Sequence, residues 1–252
     1  LTRSVLCLFL VLVWSWFGPG FVLVQSWFGP DSLVLSLCSC AGGLGGSGSF
    51  RRSRRNADPC VRSGCKWPRS SDGRVSVPYQ LDSSYSPEAQ AFIQSSMETF
   101  ARSTCVQFIP RTFDVYVYIL CSVLRSCRSF VGRRGGAQTL ELSFPNCFTI
   151  GIIQHELLHA LGFHHEQSRS DRDRYITVNW DNIDTLENRE NFYKVNTVNL
   201  RTRYDYNSIM HYPRSPVLEA KPYWREFGTA TVMSNTDLIR VHRLYCSNWN
   251  WL

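Results

Sequence analysis

The sequence predicts an α+β fold for residues 56–252, and three observations carry that prediction. Two segments combine helical start signals with apolar helical periodicity, and the short runs around them are β-branched and aromatic with partial alternation. With 252 residues and 44% apolar content, the chain also has enough material to bury one core of ordinary size.

The first helix is read from "SPEAQAFIQSSMETFARS". Ser86 is a natural N-cap, Pro87 stands at the first helical position, and Glu88 places a negative charge in the first turn, so a helix is expected from Pro87 to Arg102. "VQFIP" and "DVYVYIL" read as strands, and "AQTLELS" as another that comes after a Gly-Gly turn. The second helix is "FTIGIIQHELLHALG", closed by Gly162, since glycine accepts the left-handed backbone of a helix C-terminus.

Residues 1–55 have a different character. "VLVWSWFGPGF" (Val11–Phe21) is succeeded by its near-repeat "VLVQSWFGPDS" (Val22–Ser32), with no charge between Arg3 and Asp31. One positive residue before an apolar run reads as a signal-like targeting segment. A translated short tandem repeat is the main alternative, and a membrane span is a third, disfavoured by two Gly-Pro breaks. A Gly/Ser linker then leads into "RRSRR", the type of exposed basic run that processing proteases cut, so a boundary is expected near Arg55 and Asn56, with a solvated charge run as the bland reading.

Charge and cysteine narrow the function classes. Net charge is +7, but residues 1–55 hold five arginines against Asp31 alone, which leaves 22 basic and 19 acidic residues in the remainder. A domain so nearly balanced gives no case for nucleic acid, for which a domain-wide basic stripe is expected. The ten cysteines are scattered without paired CxxC knuckles and read as disulfides, which persist in an oxidising compartment.

Four of the six histidines fall within "HELLHALGFHH". His155 and His159 are four apart, so they project from one helical face, and the turn at Gly162 brings His165 back towards them. Three neutral imidazoles with an open fourth position are what a catalytic zinc requires, whereas a structural zinc takes four protein ligands. HExxH alone arises by chance in roughly one chain in 200 of this composition, and fixing Gly162 and His165 lowers that to on the order of one in 10⁵. His164 fits no ligand position and reads as a neighbour, and His242 reads as structural.

"HELLHALGFHHEQSRSDRD" with a later "SIMHY" resembles the astacin family of zinc endopeptidases within the metzincins, in which a long zinc motif precedes a methionine turn. The similarity extends through "NADPCVRSGCKWP", "FVGRRGGAQT", "DYNSIMHY" and "RLYC", roughly Asn56 to Cys246, and is closest to the six-cysteine branch that includes hatching enzymes.

The resemblance implies a metzincin-type catalytic domain, with a twisted mixed sheet and two long helices leading into an irregular C-terminal half. His155, His159 and His165 would bind one Zn²⁺, Glu156 would be the general base, and Met210 would form the turn beneath the metal. Tyr212 would match the tyrosine that ligates zinc at rest and swings to stabilise the oxyanion. Glu166 would match the glutamate that meets the new N-terminus after activation. Cys105–Cys246, Cys127–Cys147 and Cys60–Cys65 would be bridged, leaving Cys121 without a partner. "AQTLELS" would form the lower edge strand along which an extended protein substrate pairs.

Two departures stand against the family pattern. The segment from Pro213 to Leu238 is shorter than its family counterpart, and the family's inhibitory Phe-x-Gly-Asp is represented only by "FGPD" at Phe28–Asp31. The expected function is a secreted, monomeric zinc endopeptidase acting on extracellular proteins, egg-envelope proteins among them, without nucleic acid or stable membrane association. The rival is a metzincin scaffold that binds extracellular protein without turnover.

Overall fold

The computed structural model describes residues 57–112, 114–122 and 126–247, preceded by two short strands, β1 (Phe21–Leu23) and β2 (Leu37–Ser39), that pair antiparallel. Apart from those strands, the signal-like stretch, the basic processing run and Asn56 lie outside the described residues. Among the described residues no helix is long and apolar enough to cross a membrane.

β3 (Val75–Leu81) buries Val75, Val77 and Tyr79 on one side, the period-2 pattern of a strand with one face in a core. Sequence patterning does not single it out because Pro78 interrupts it. The ladder accommodates that proline: β3 runs parallel to β4 (Val106–Pro110) over Val75–Tyr79 and to β5 (Tyr116–Leu120) only from Tyr79 onward. Pro78 therefore has a paired neighbour on one side alone, where its missing N–H costs least.

β5 continues in parallel to β7 (Ala137–Leu142), and β6 (Cys127–Ser129) closes the sheet antiparallel to β7, giving the order β4-β3-β5-β7-β6. This corrects one expectation. "AQTLELS" is the penultimate strand, and β6 takes the edge. Arg128 of β6 stands opposite Glu141 of β7 and pairs with it, while Cys127 is bridged to Cys147, so a three-residue strand is fastened where its length alone would not hold it.

The expected long helices are α1 (Pro87–Ser103) and α2 (Ile150–Ala160). Ser86 caps α1 by accepting from Ala89 N–H, and Thr149 caps α2 by accepting from Ile152 N–H. α1 buries one stripe, Ile93, Met97 and Phe100, whereas α2 is buried on every side, as a helix through the middle of a domain must be. Both pack with the sheet in a single apolar core that includes Val117, Ile119, Leu140 and Leu142.

The rest of the chain is irregular, as expected. It holds short 3-10 turns, α3 (Leu186–Glu190), an antiparallel pair β8 (Ile176–Val178) and β9 (Leu218–Ala220), and α4 (Asn235–Val241), which runs into a π-helical turn at His242–Cys246. Some of its apolar residues, Ile176, Phe192, Tyr204, Tyr212 and Phe227 among them, form a second core, while Met210, Val241, Leu244 and Tyr245 join the first. Cys105–Cys246, Cys127–Cys147 and Cys60–Cys65 are bridged, and Cys121 is the free cysteine among the described residues.

Candidate metal and catalytic centre

His155 and His159 lie one turn apart on α2, and the end of that helix is fixed by an unusual number of long-range contacts. Helix C-termini leave carbonyls without intrahelical partners. Here His159 O accepts from Gly132 N–H at 2.9 Å, Ala160 O from Trp67 Nε1–H at 2.9 Å, Leu161 O from the Tyr245 hydroxyl at 2.7 Å, and Gly162 O from Asp58 N–H at 2.8 Å. Gly162 takes φ +98°, and a Cβ there would stand 3.0 Å from Val61, so the reversal that returns His165 requires glycine.

Nε2 of His165 lies 3.1 Å from Nε2 of His155 and 3.2 Å from Nε2 of His159. Nδ1 of His155 faces Ile209 O at 2.8 Å and Nδ1 of His159 faces Phe163 O at 2.7 Å. A carbonyl can only accept, so both Nδ1 atoms carry the proton and both Nε2 lone pairs point into the cluster. Burial pushes His155 down to about 4 and holds His159 and His165 well below the ordinary imidazole range, keeping all three neutral.

These residues fit a metal. Zn–N bonds of about 2.0–2.1 Å in a tetrahedron put ligand nitrogens about 3.3 Å apart, close to the spacing seen here. The three histidines form a donor set able to hold an ion. A second grouping, Asp58 with Cys60 and Cys65, is not comparable, because its two sulfurs are bonded to each other.

Glu156, next to His155 on the helix, is wholly buried, and neither carboxylate oxygen has a hydrogen-bond partner among the described residues. Burial, reinforced by the charge of Glu141, raises it well above the usual carboxylate range. A buried carboxyl left without protein donors is unfavourable unless it has work to do, which marks it as a candidate reacting group. The ring of Tyr212 lies 4.5 Å from that of His165, centroid to centroid.

Met210 is buried in a tight turn anchored from α4. Asp237 accepts from Ile209 N–H at 2.9 Å and from the Ser208 hydroxyl at 2.7 Å, while also closing the capping box of α4 with Ser234. The same turn carries Ile209 O, the acceptor that orients His155. Sequence reading passed over Asp237, although Ser234 and Asp237 have capping-box spacing.

Glu166 is also wholly buried. Its carboxylate receives both terminal nitrogens of Arg240, at 2.7 and 2.8 Å, with Arg169 at 3.3 Å and Asp205 N–H at 2.7 Å. Asn56, expected to begin the mature chain, lies outside the described residues, and Ala57 beside it is buried and bridged to Phe163 and Val198. His164 turns out of the cluster to meet Asp58 at 2.6 Å, in keeping with its reading as a neighbour. His242 is exposed at the start of the π-helical turn.

The profile of the Astacin family of peptidases matches residues 64–246. The chain belongs to the astacin family. High choriolytic enzyme 1 of Oryzias latipes is 42% identical over 204 residues, covering 77% of this chain and 74% of that one. Embryonic protein UVS.2 of Xenopus laevis is 42% identical over 196 residues, covering 72% of this chain and 37% of that one. Among solved structures, high choriolytic enzyme 1, a hatching enzyme zinc-protease from medaka, superposes with TM-score 0.71 at 40% identity, covering 75% of this chain and 98% of that one. Myroilysin, at 17% identity and TM-score 0.55, shares the fold. As an astacin, the protein is a zinc metalloendopeptidase with protein substrates and the α+β architecture expected of that family.

Proposed function

We propose that this astacin is a secreted, monomeric endopeptidase that holds one zinc on His155, His159 and His165 and hydrolyses extended protein segments. The observation that carries the proposal is the convergence of three Nε2 atoms, together with the buried carboxyl of Glu156, which follows His155 on the same helix and has no protein partner among the described residues. Zinc bound there supplies Lewis-acid polarisation of the scissile carbonyl.

The chain's own residues do the rest. One carboxylate oxygen of Glu156 takes a proton from the attacking water and then delivers it to the leaving amine nitrogen, a transfer that a carboxyl with a raised pKa performs in both directions. The Tyr212 hydroxyl donates to the developing oxyanion. β6 offers an outer edge on which an extended substrate pairs by main-chain hydrogen bonds.

Similarity to the choriolytic enzymes supports egg-envelope protein as the substrate, and the three disulfides support passage through an oxidising compartment. The basic run before Asn56 supports a mature chain beginning near that residue, with residues 1–55 removed and residues 56–252 as the catalytic domain.

Glu156→Gln tests the mechanism, because the amide keeps size and helix propensity but cannot accept the water's proton. Zinc content is expected to stay at the wild-type level while kcat on a casein-type substrate falls by about 10² to 10⁴ or more. Equal turnover by both proteins would refute the role of Glu156. Zinc-loaded wild type that cleaves no protein would favour a binding scaffold.

A further inference from the structure

Tyr212 is held at its main chain from several directions while its ring faces His165. Its N–H donates to Oε1 of Gln167 at 3.1 Å. Its carbonyl lies 2.8 Å from Nδ1 of His211, which must be the donor, and the other ring nitrogen of His211 then accepts from the Tyr204 hydroxyl at 2.7 Å. Pro213 comes next and confines Tyr212 to extended backbone. Gly228, at φ +69°, lies so close that a Cβ on it would stand 2.3 Å from Tyr212 O and from Pro213 Cα, which no side chain tolerates.

Gln167 differs from the other three. It is wholly buried, and its Nε2 has no hydrogen-bond partner among the described residues. Its own main chain is fixed in the one-turn helix Glu166–Ser168, where Gln167 O accepts from Arg172 Nη1 at 2.8 Å. A buried amide donor without a partner is unfavourable, and methionine would fill similar space without that cost. What methionine lacks is an acceptor for the Tyr212 N–H. Gln167 also stands two residues after His165, so one short turn ties the third imidazole to the tyrosine main chain.

We propose that Gln167 is a positioning residue: it pins the Tyr212 peptide to the loop that carries His165, so that the phenol reaches its working position by rotation about its own side-chain bonds. The proposal rests on the role given to Tyr212 above, and its copper readout on the resting metal ligation that the family resemblance implies for Tyr212. Without the acceptor the Tyr212 peptide gains freedom and the hydroxyl is spread over more positions. Fewer molecules are then poised to meet the oxyanion, which lowers kcat and leaves KM to the unaltered substrate contacts.

The test is a double-mutant cycle in the zinc-loaded protein, with the tyrosinate-to-copper(II) charge-transfer absorption of the copper-substituted protein as a second readout. Gln167→Met is expected to retain metal, hold KM within about twofold, lower kcat about 10-fold and weaken the copper band. In a Tyr212→Phe background the same change is expected to alter kcat by less than about twofold. Gln167→Asn, which draws the acceptor back by one methylene, gives the same readings should the methionine variant not fold. Equal loss of kcat in both backgrounds, or an unchanged kcat and copper band in a folded variant, overturns the proposal alone. Wild-type kcat in Tyr212→Phe itself overturns the role of Tyr212, and the proposal with it.

Discussion

His155, His159 and His165 were legible because their geometry is local: a four-residue spacing on one helix and a six-residue return through Gly162 leave little freedom in where three imidazoles meet. Apart from Phe163 O, four residues from His159, the partners around them were not legible. Ile209 O lies 54 positions from His155, and Arg240 lies 74 from Glu166, so no window of sequence contains both partners. Glu141 is a buried carboxylate with nearer partners, Arg128 at 13 positions and Ser126 at 15. Burial alone would raise its carboxyl, but hydrogen bonds from Arg128 and Ser126 outweigh that and hold it below the ordinary carboxylate value. A depressed folded-state pKa contributes stability above the unfolded value and loses it as pH falls through the folded one. The stability advantage of wild type over Glu141→Gln is therefore expected to be full at neutral pH and to shrink below about pH 4, as tracked by urea denaturation at several pH values. An advantage that grows on acidification would show that the pair does not stabilise the edge of the sheet.

At the scale of elements, α1 and α2 announce themselves through Ser86-Pro87 and through Gly162, whereas β3 is obscured by Pro78 and β6 by its three-residue length. The misplaced sheet edge results from the second omission, since "AQTLELS" can only look like an edge when its short neighbour goes unseen. α4 is a further case, seven helical residues whose capping box is local but whose importance is not. Its Asp237 serves the helix start and the methionine turn together. Asp237→Ala removes a cap and leaves buried donors on Ser208 and Ile209, so a loss of about 2–4 kcal/mol is expected in chemical denaturation. A loss below about 1 kcal/mol would mean the turn stands without α4.

Across the whole molecule, two apolar cores meet at the candidate metal centre, with α2 in one and Tyr212 in the other. Cys105 and Cys246 tie the sheet half to the π-helical turn across 141 residues, a pairing that family resemblance supplied and that the cysteine positions alone left open. Closing so long a loop restricts the unfolded chain, and replacing both cysteines by serine is expected to cost about 5 kcal/mol on a chain-entropy basis, measurable as a shift in the denaturation midpoint. A shift equivalent to less than about 1 kcal/mol would contradict that expectation.

The proposed mechanism depends on one zinc held by His155, His159 and His165. X-ray absorption at the zinc edge, on purified protein with its metal content quantified, tests it directly. One zinc per chain is expected, with three imidazole nitrogens at about 2.0–2.1 Å and no sulfur. Sulfur ligands at about 2.3 Å, or zinc without imidazole, would contradict it.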